Sequence, residues 1–337
     1  MEGIIRIFAQ KHGFEYDIVF GNGNTMKLSG KIYIAGHHGM AGSAIHRALK
    51  NAGYDNFVYR RSSELDLKNQ ADTESFFEKE RPDIVVLAAA KVGGIMANIE
   101  SPASFLYDNL MIQNNVIHSA YKYGVKRLLF LGSSCIYPRE CPQPMKEEYL
   151  LDGKVEPTNE GYAIAKIAGM KLCEMYNRQY HTNYISVMPC NLYGYNDNFD
   201  RMRSHVVPAT IRKFHEAKVN GDKEVVIWGT GQARRELLFA DDMADACLYL
   251  LENYDGDEFF NVGTGSDVSI TELSEMVADI VGYDGKMVYD TSKPDGMPQK
   301  LMDCSRLAER GWTYKTELKD GLKKTYQWYL DNYDRFN

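Results

Sequence analysis

The 337-residue chain is short of the features that mark metal-bound, secreted or membrane-spanning proteins. Its six cysteines (Cys135, Cys141, Cys173, Cys190, Cys247 and Cys304) form no Cys-x-x-Cys pair and no Cys/His cluster with zinc spacing, so no metal is expected. A chain of this size needs no disulfide to fold, and free thiols in a reducing cytoplasm are expected. No apolar run is long enough to cross a bilayer, which excludes a membrane helix. The early apolar residues are broken by Lys11, His12, Glu15 and Asp17, unlike a secretory signal. Basic charge is also in deficit: 39 Lys and Arg stand against 46 Asp and Glu, for a net charge of -7. A nucleic-acid binder needs a net basic face, so nucleic acid is not an expected partner. A small phosphorylated ligand needs only a few local cations and stays open. There is no internal repeat and no low-complexity segment.

What is present is a core and a rhythm. Hydrophobic residues make up 44% of the chain, enough for one large α/β domain or a large domain with a smaller partner. Residues 1–30 precede the first clean strand and contain a turn at Gly21-Asn22-Gly23-Asn24; they read as an extension, disordered or with Met26 as an alternative start. From residue 31 strands and helices alternate: strands at 31–35, 57–60, 83–90, 127–131 and 184–188, helices at 43–51, 69–80, 102–123 and 162–180. Within 83–90, the uninterrupted apolar run after Asp83 suits a strand buried on both faces. Repeated β-α-β units predict an α/β fold with a doubly wound, Rossmann-type parallel sheet. After about residue 191 the rhythm loosens. Helices are predicted near 206–218, 241–252, 271–281 and 318–333, with short strands near 225–228 and 259–262. This predicts a smaller mixed α/β C-terminal domain over the carboxyl edge of the sheet, where ligands of such sheets bind.

The loop Gly36-His37-His38-Gly39-Met40-Ala41-Gly42 follows a strand and opens a helix. Glycine lets the backbone approach a diphosphate, and the helix start offers free N–H groups. A tight turn without a ligand is the plain alternative, which the strand-before, helix-after context disfavours. At the end of the second strand stand Arg60 and Arg61, where NAD-binding chains place a carboxylate. Arginine suits a 2′-phosphate, so NADP is expected over NAD. Asp66 just beyond is a candidate acceptor for the adenine amine, or a helix cap.

Tyr162 and Lys166 are spaced i, i+4, one turn apart on one helix face. A phenol with a pKa near 10 is a poor acid-base group, and a nearby ammonium is expected to lower it. Such a tyrosine can give a proton to a ketone oxygen as hydride arrives. Alone the pair is a weak signal. Upstream, a predicted strand ends in Gly132-Ser133-Ser134-Cys135, which sets the Ser133 hydroxyl and the Cys135 thiol at a carboxyl edge. A free cysteine is more often a small buried hydrophobe, and His205, at a loop–helix junction, is by itself more often structural.

Glycine loop, strand-end serine and Tyr-x-x-x-Lys, in this order, resemble the extended short-chain dehydrogenase/reductase family. Stretches 36–45, 88–95, 132–138, 162–166, 191–194, 204–209, 234–236 and 293–296 are similar to the branch acting on GDP-4-keto-6-deoxy-D-mannose. The resemblance implies NADPH as cofactor, a GDP-sugar as substrate, and combined 3,5-epimerisation and 4-keto reduction. It implies a reductase site of Ser133, Tyr162 and Lys166 and an epimerase pair of Cys135 and His205. It implies cofactor contacts from Gly36, Gly39, Met40, Gly42, Arg60, Arg61, Asp66, Lys166 and His205, and substrate contacts from Lys213, Trp228, Arg235, Asp295 and Lys300. His37 and His38 stand where relatives often carry arginine. On this reading residues 31–190 form the NADP-binding domain. Residues 191–337 mainly bind substrate, with some segments returning to the first domain.

The implied substrate has acidic protons at C3 and C5, both α to the C4 ketone. One acid-base pair then serves both inversions, and the groups holding the C4 oxygen serve enolate and reduction alike. Another nucleotide-sugar epimerase, dehydratase or reductase of the scaffold is the runner-up, although a dehydratase needs an acid where Cys135 stands. A non-catalytic NADP-sensing protein is a further alternative, set against the intact Tyr162 and Lys166. The family also implies a homodimer built by the two long helices.

Overall fold

The computed structural model describes residues 28–201, 204–293 and 295–336. The turn at Gly21–Asn24 and the start at Met26 lie outside the described residues. The first half contains Ile32–Ala35 (β1), Met40–Asn51 (α1), Phe57–Val58 (β2), Gln70–Glu80 (α2), Ile84–Leu87 (β3), Ile95–Glu100 (α3), Pro102–Lys122 (α4), Arg127–Leu131 (β4), Glu160–Tyr180 (α5) and Asn183–Pro189 (β5). Then follow Asn191–Tyr193 (β6), Val206–Asn220 (α6), Glu224–Trp228 (β7), Arg234–Phe239 (β8), Ala240–Asn253 (α7), Phe260–Val262 (β9), Asp267–Ser269 (β10), Ile270–Val281 (α8), Lys286–Asp290 (β11), Gln299–Lys300 (β12), Ser305–Glu309 (α9) and Leu318–Asp331 (α10).

Six strands pair in the order β2-β1-β3-β4-β5-β9, every neighbour parallel. Every residue of β1 and β3 is buried, as apolar strands covered on both faces must be. The chain runs outward from β1 to β2, then crosses back to β3. The carboxyl ends of β1 and β3 therefore diverge into a crevice, the usual ligand position in such sheets. The doubly wound expectation is borne out.

Two of the differences from the sequence reading concern the main sheet. The second strand stops at Val58 instead of residue 60, because Tyr59 packs its ring on His37 and His46 and Arg60 turns back to Glu80. The strand at 259–262 was expected in the smaller C-terminal part. It instead joins the main sheet beside β5, where Phe260 and Val262 are fully buried. The helix before it, α7, packs on α1, with Arg47 paired to Asp241.

A second sheet is centred on β8, which pairs antiparallel with β10 and parallel with β12 and β6. A parallel β7–β11 pair lies apart from it. Phe199, Phe214, Phe239, Leu273, Leu322 and Tyr329 are among the buried side chains of a second hydrophobic core. A serine-glutamate capping box, Ser269 with Glu272, starts α8.

Candidate active site

The glycine loop shows which glycines the protein itself requires. Gly36 has φ +87, and a Cβ there would lie 2.7 Å from the Ala89 nitrogen. A Cβ at Gly42 would lie 2.2 Å from the Gly36 carbonyl oxygen. Gly39 differs: its φ is -71, and a Cβ would meet one atom, the Gly36 oxygen, at 3.5 Å. The fold does not need glycine at 39, whereas a diphosphate lying on the loop does. Gly39 also precedes the first turn of α1 with no side-chain cap on that turn's amides, and Met40 is the first helical residue. The loop thus fits a dinucleotide diphosphate.

The arginine pair divides. Arg60 donates to Glu80 Oε1 at 2.6 Å and to the Tyr59 carbonyl at 2.6 Å, and lies over the Phe76 ring. Its guanidinium is committed to the protein. Arg61 is exposed and has no ion pair among the described residues; its backbone N–H donates to Glu64. His37 stacks between His38, at 4.1 Å, and Tyr59, at 4.9 Å. Burial holds its imidazole below the ordinary value, helped by the positive charges of His38, His46 and Arg61. Asp66 accepts from the Lys68 N–H at 3.0 Å. The cap of α2 is Asn69, which accepts from the Asp72 N–H, so Asp66 shapes the approach to the helix without capping it.

At the carboxyl end of β4, Ser133 caps a single 3-10 turn, and its oxygen accepts from the Cys135 N–H at 3.3 Å. Its hydroxyl is within hydrogen-bonding reach of Tyr162 and the Cys135 thiol, which favours the ionised form of each. Lys166 lies one turn along α5 from Tyr162, is 4% exposed, and donates to the Leu131 carbonyl at 2.6 Å. The ammonium is 5.7 Å from the Tyr162 ring centre. The sequence expectation of a lowered tyrosine pKa is not met. Burial pushes the Tyr162 phenol up and pulls Lys166 down to about 8. Desolvation is the largest cause of both shifts; the Cys135 thiol adds to the rise of Tyr162 and opposes the fall of Lys166.

Cys135 is 5% exposed. Burial raises its thiol pKa, opposed first by Lys300, then by Ser133 and Lys166. Lys300 sits on β12 in register with Arg235 on β8. No spacing or motif in the sequence places Lys300 beside the thiol. Ser133, Cys135, Tyr162, Lys166, Lys300 and Arg235 are thus gathered at one end of the two sheets. His205 is the N-cap residue of α6 and is exposed as a residue, while desolvation by the protein around its imidazole holds it below the ordinary value.

The other predicted substrate residues form the far wall. Arg235 donates to the Met297 carbonyl at 2.7 Å and the Asp295 carbonyl at 3.3 Å. The Asp295 carboxylate accepts from the Thr230 N–H and hydroxyl at 2.7 and 2.8 Å. Trp228 is 55% exposed, with the ammoniums of Lys213 and Lys293 each 5.7 Å from its ring centre. Lys213 donates to the Val226 carbonyl at 2.7 Å. Lys293, which the sequence reading gave no role, has no ion pair among the described residues. An exposed indole beside ammonium groups can stack a base or sugar and meet a diphosphate.

The chain is similar to two curated relatives along nearly its whole length. It is 59% identical to putative GDP-L-fucose synthase 2 of Arabidopsis thaliana, over 91% of this chain and 94% of that protein. It is 52% identical to GDP-L-fucose synthase of Escherichia coli K12, over 91% of this chain and 98% of that protein. Among solved structures, the NADP-bound GDP-L-fucose synthetase of Naegleria fowleri superposes with a TM-score of 0.86 at 29% identity, covering 94% of this chain and 99% of that one. Residues 32–263 match the model of a single family. Sheet, glycine loop and Tyr162–Lys166 pair all lie within that match, and the chain belongs to the NAD dependent epimerase/dehydratase family.

Proposed function

We propose that this chain converts GDP-4-keto-6-deoxy-D-mannose to GDP-L-fucose by 3,5-epimerisation and NADPH-dependent 4-keto reduction. The carrying observation is the buried Cys135 thiol, held between Ser133 and Lys300 beside the Tyr162–Lys166 pair. A plain reductase has no use for that thiol, and a dehydratase needs an acid in its place.

NADPH, when bound, supplies the hydride for C4. Gly36, Gly39, Met40 and Gly42 would hold its diphosphate, and Arg61 its 2′-phosphate, with Arg60 shaping that corner through Glu80. Asp66, near the adenine, and Lys166 and His205, near the nicotinamide half, complete the cofactor contacts. Arg235, Lys300, Lys213, Trp228 and Asp295 hold the GDP-sugar, with Lys300, which acts on Cys135, and Arg235 beside it drawing the sugar end inward. Residues 31–190 serve mainly the cofactor and 191–337 mainly the substrate.

In epimerisation Cys135, as thiolate, takes an α-proton and His205 returns one from the opposite face. The C–H electron pair moves onto the C4 oxygen, and Ser133 and Tyr162 donate hydrogen bonds to the resulting enolate. In reduction Tyr162 gives its proton to the C4 oxygen, and the Lys166 ammonium stabilises the phenolate left behind. At that moment the buried ammonium faces a phenolate in place of the neutral phenol of the resting site.

The test is loss of NADPH absorbance with GDP-4-keto-6-deoxy-D-mannose and identification of the product by NMR. Formation of GDP-L-fucose supports the proposal; NADPH binding without turnover refutes it. Cys135→Ser and His205→Gln should abolish α-proton exchange, and intact exchange in both would remove the epimerase assignment.

The α4 and α5 helices pack together and present exposed Tyr107, Ile164, Met175 and Tyr180. We read this apolar surface as the homodimer interface, to be tested by solution mass at low concentration. No helix among the described residues is long and apolar enough to cross a membrane; the cytoplasm, where nucleotide sugars and NADPH meet, is the proposed location.

A further inference from the structure

Glu236 has no place in the chemistry above, yet it is 0% exposed at the centre of the second sheet. A carboxylate this deep must be satisfied by donors. Its Oε1 accepts from the backbone N–H of Thr264 at 2.7 Å and of Gly265 at 2.8 Å. Its Oε2 accepts from the backbone N–H of Met302 at 2.8 Å. One side chain on β8 thereby ties together three segments distant in sequence. It also excludes a side chain at Gly263, where a Cβ would lie 2.2 Å from Oε1.

Two of those segments carry Lys300, the cation that acts most on the thiol, and Arg235, which neighbours Lys300. Arg235 precedes Glu236 on β8, and Lys300 lies two residues before Met302 on β12. The β12 strand is only two residues long, too short to fix its own register firmly. Beyond it, Leu301 is held by Gln143, whose Oε1 accepts its N–H at 2.8 Å, and its carbonyl accepts from the Met145 N–H at 2.7 Å. Those bonds tie the segment toward the loop after Cys135. Toward β8, the Arg234 N–H donates to the Pro298 carbonyl at 2.8 Å on the near side of Lys300, and the bond from Met302 to Glu236 is the tie on its far side.

We propose that Glu236 is a positioning residue: by holding the Met302 backbone against β8 it keeps Lys300 between Arg235 and Cys135, and so keeps the thiol reactive without touching substrate. This rests on the role given to Cys135 above. Burial pushes the Glu236 carboxyl up to about 7 against the three amides that favour its ionised form, which agrees with a group retained at a cost to stability for what it holds in place.

Glu236→Gln keeps the volume but offers one acceptor oxygen. That oxygen turns to the two amides of Thr264 and Gly265, leaving the Met302 N–H against an NH2 group. Gly263→Ala displaces the carboxylate while leaving its charge. Folding of each variant is established by unchanged NADPH binding. In both, alkylation of Cys135 by iodoacetamide, read by peptide mass spectrometry because the chain has five other cysteines, should slow about tenfold at neutral pH, the effect of one unit in thiol pKa. Its pH profile should move upward. Exchange of the substrate's α-protons with solvent should slow by a similar factor, and reduction of the already epimerised 4-keto sugar by much less. Unchanged Cys135 alkylation in a folded variant, or an equal fall in both half-reactions, would overturn the proposal. If Cys135→Ser alone leaves α-proton exchange intact, the role of the thiol fails, which is a separate result from failure of Glu236.

Discussion

Replacing Lys166 by methionine should strengthen the fold while destroying the reductase. The side chain is 4% exposed and its ammonium titrates at about 8 instead of the ordinary 10.5. Keeping the charged form at neutral pH therefore costs about 3 kcal/mol. Two features return part of that. The bond to the Leu131 carbonyl is lost in the variant, worth about 1 kcal/mol. The ammonium also lies 4.9 Å from the Phe130 ring centre, worth a further ~0.5–1 kcal/mol. Methionine fills similar apolar volume without a charge, so a net gain of about 1–2 kcal/mol remains at neutral pH. The pH dependence is diagnostic. A base whose pKa falls on folding binds fewer protons in the folded than in the unfolded state between about 8 and 10.5. Stability from this group therefore rises with pH through that window. The advantage of Lys166→Met should shrink by about 2 kcal/mol between roughly pH 7 and 9.5. Urea denaturation at the two pH values, with Lys166 and Lys166→Met each compared in a Cys135→Ala background that removes the thiol interacting with the lysine, gives the difference directly. Ketone reduction should fall by a factor on the order of 10²–10⁴. A variant that is less stable at neutral pH, with a gap that does not change with pH, would refute the reasoning that the lysine is held charged against its burial.

Further outcomes follow from the cofactor side and from one buried acid. Gly39→Ala should leave the melting temperature unchanged but weaken NADPH binding at least about tenfold, about 1.4 kcal/mol; Gly42→Ala should melt earlier, because its Cβ meets the Gly36 oxygen at 2.2 Å. Calorimetry and isothermal titration separate the two. Arg61→Ala should cut the preference for NADPH over NADH by about tenfold or more. Arg60→Ala, which breaks an ion pair with Glu80, should change that ratio little, as steady-state kinetics with both cofactors will show. Asp197 is 5% exposed and burial pushes its carboxyl up to about 7. An acid raised on folding binds more protons folded than unfolded between about 4 and 7, so its contribution to stability falls as pH rises through that window. Asp197→Asn should therefore be more stable than the parent above about pH 7, with the advantage fading toward pH 4; denaturant midpoints across that range decide it.

The sheet was legible because its strands are apolar on both faces. Residues 127–131 read as a strand and are one, and 83–90 announced β3 by its unbroken apolar run. The five short strands β6, β8, β10, β11 and β12 were not predicted. β8 begins Arg234-Arg235-Glu236, charges that a local reading assigns to a surface loop and that are stabilised only by partners far along the chain. β12 is two residues of polar sequence whose pairing with β8 no periodicity records. The catalytic Tyr162 and Lys166 were readable because one helix places them. The approach of Lys300 to Cys135 joins residues far apart in sequence, and no spacing rule reaches across that gap. The commitment of Arg60 to Glu80 was hidden for the same reason: adjacent arginines look alike until the fold assigns each a neighbour.

The position of β9 has a consequence for synthesis. The outermost strand beside β5 is made only after the whole segment that builds β6 to β8 and α7 has been translated. While the ribosome is between residues 190 and 262, β5 presents a bare hydrogen-bonding edge and the α1 surface lacks α7. An unpaired apolar edge is a template for wrong association. The nascent first half is therefore most vulnerable during that interval, and a fragment ending near residue 190 should aggregate instead of folding as a free-standing cofactor-binding unit.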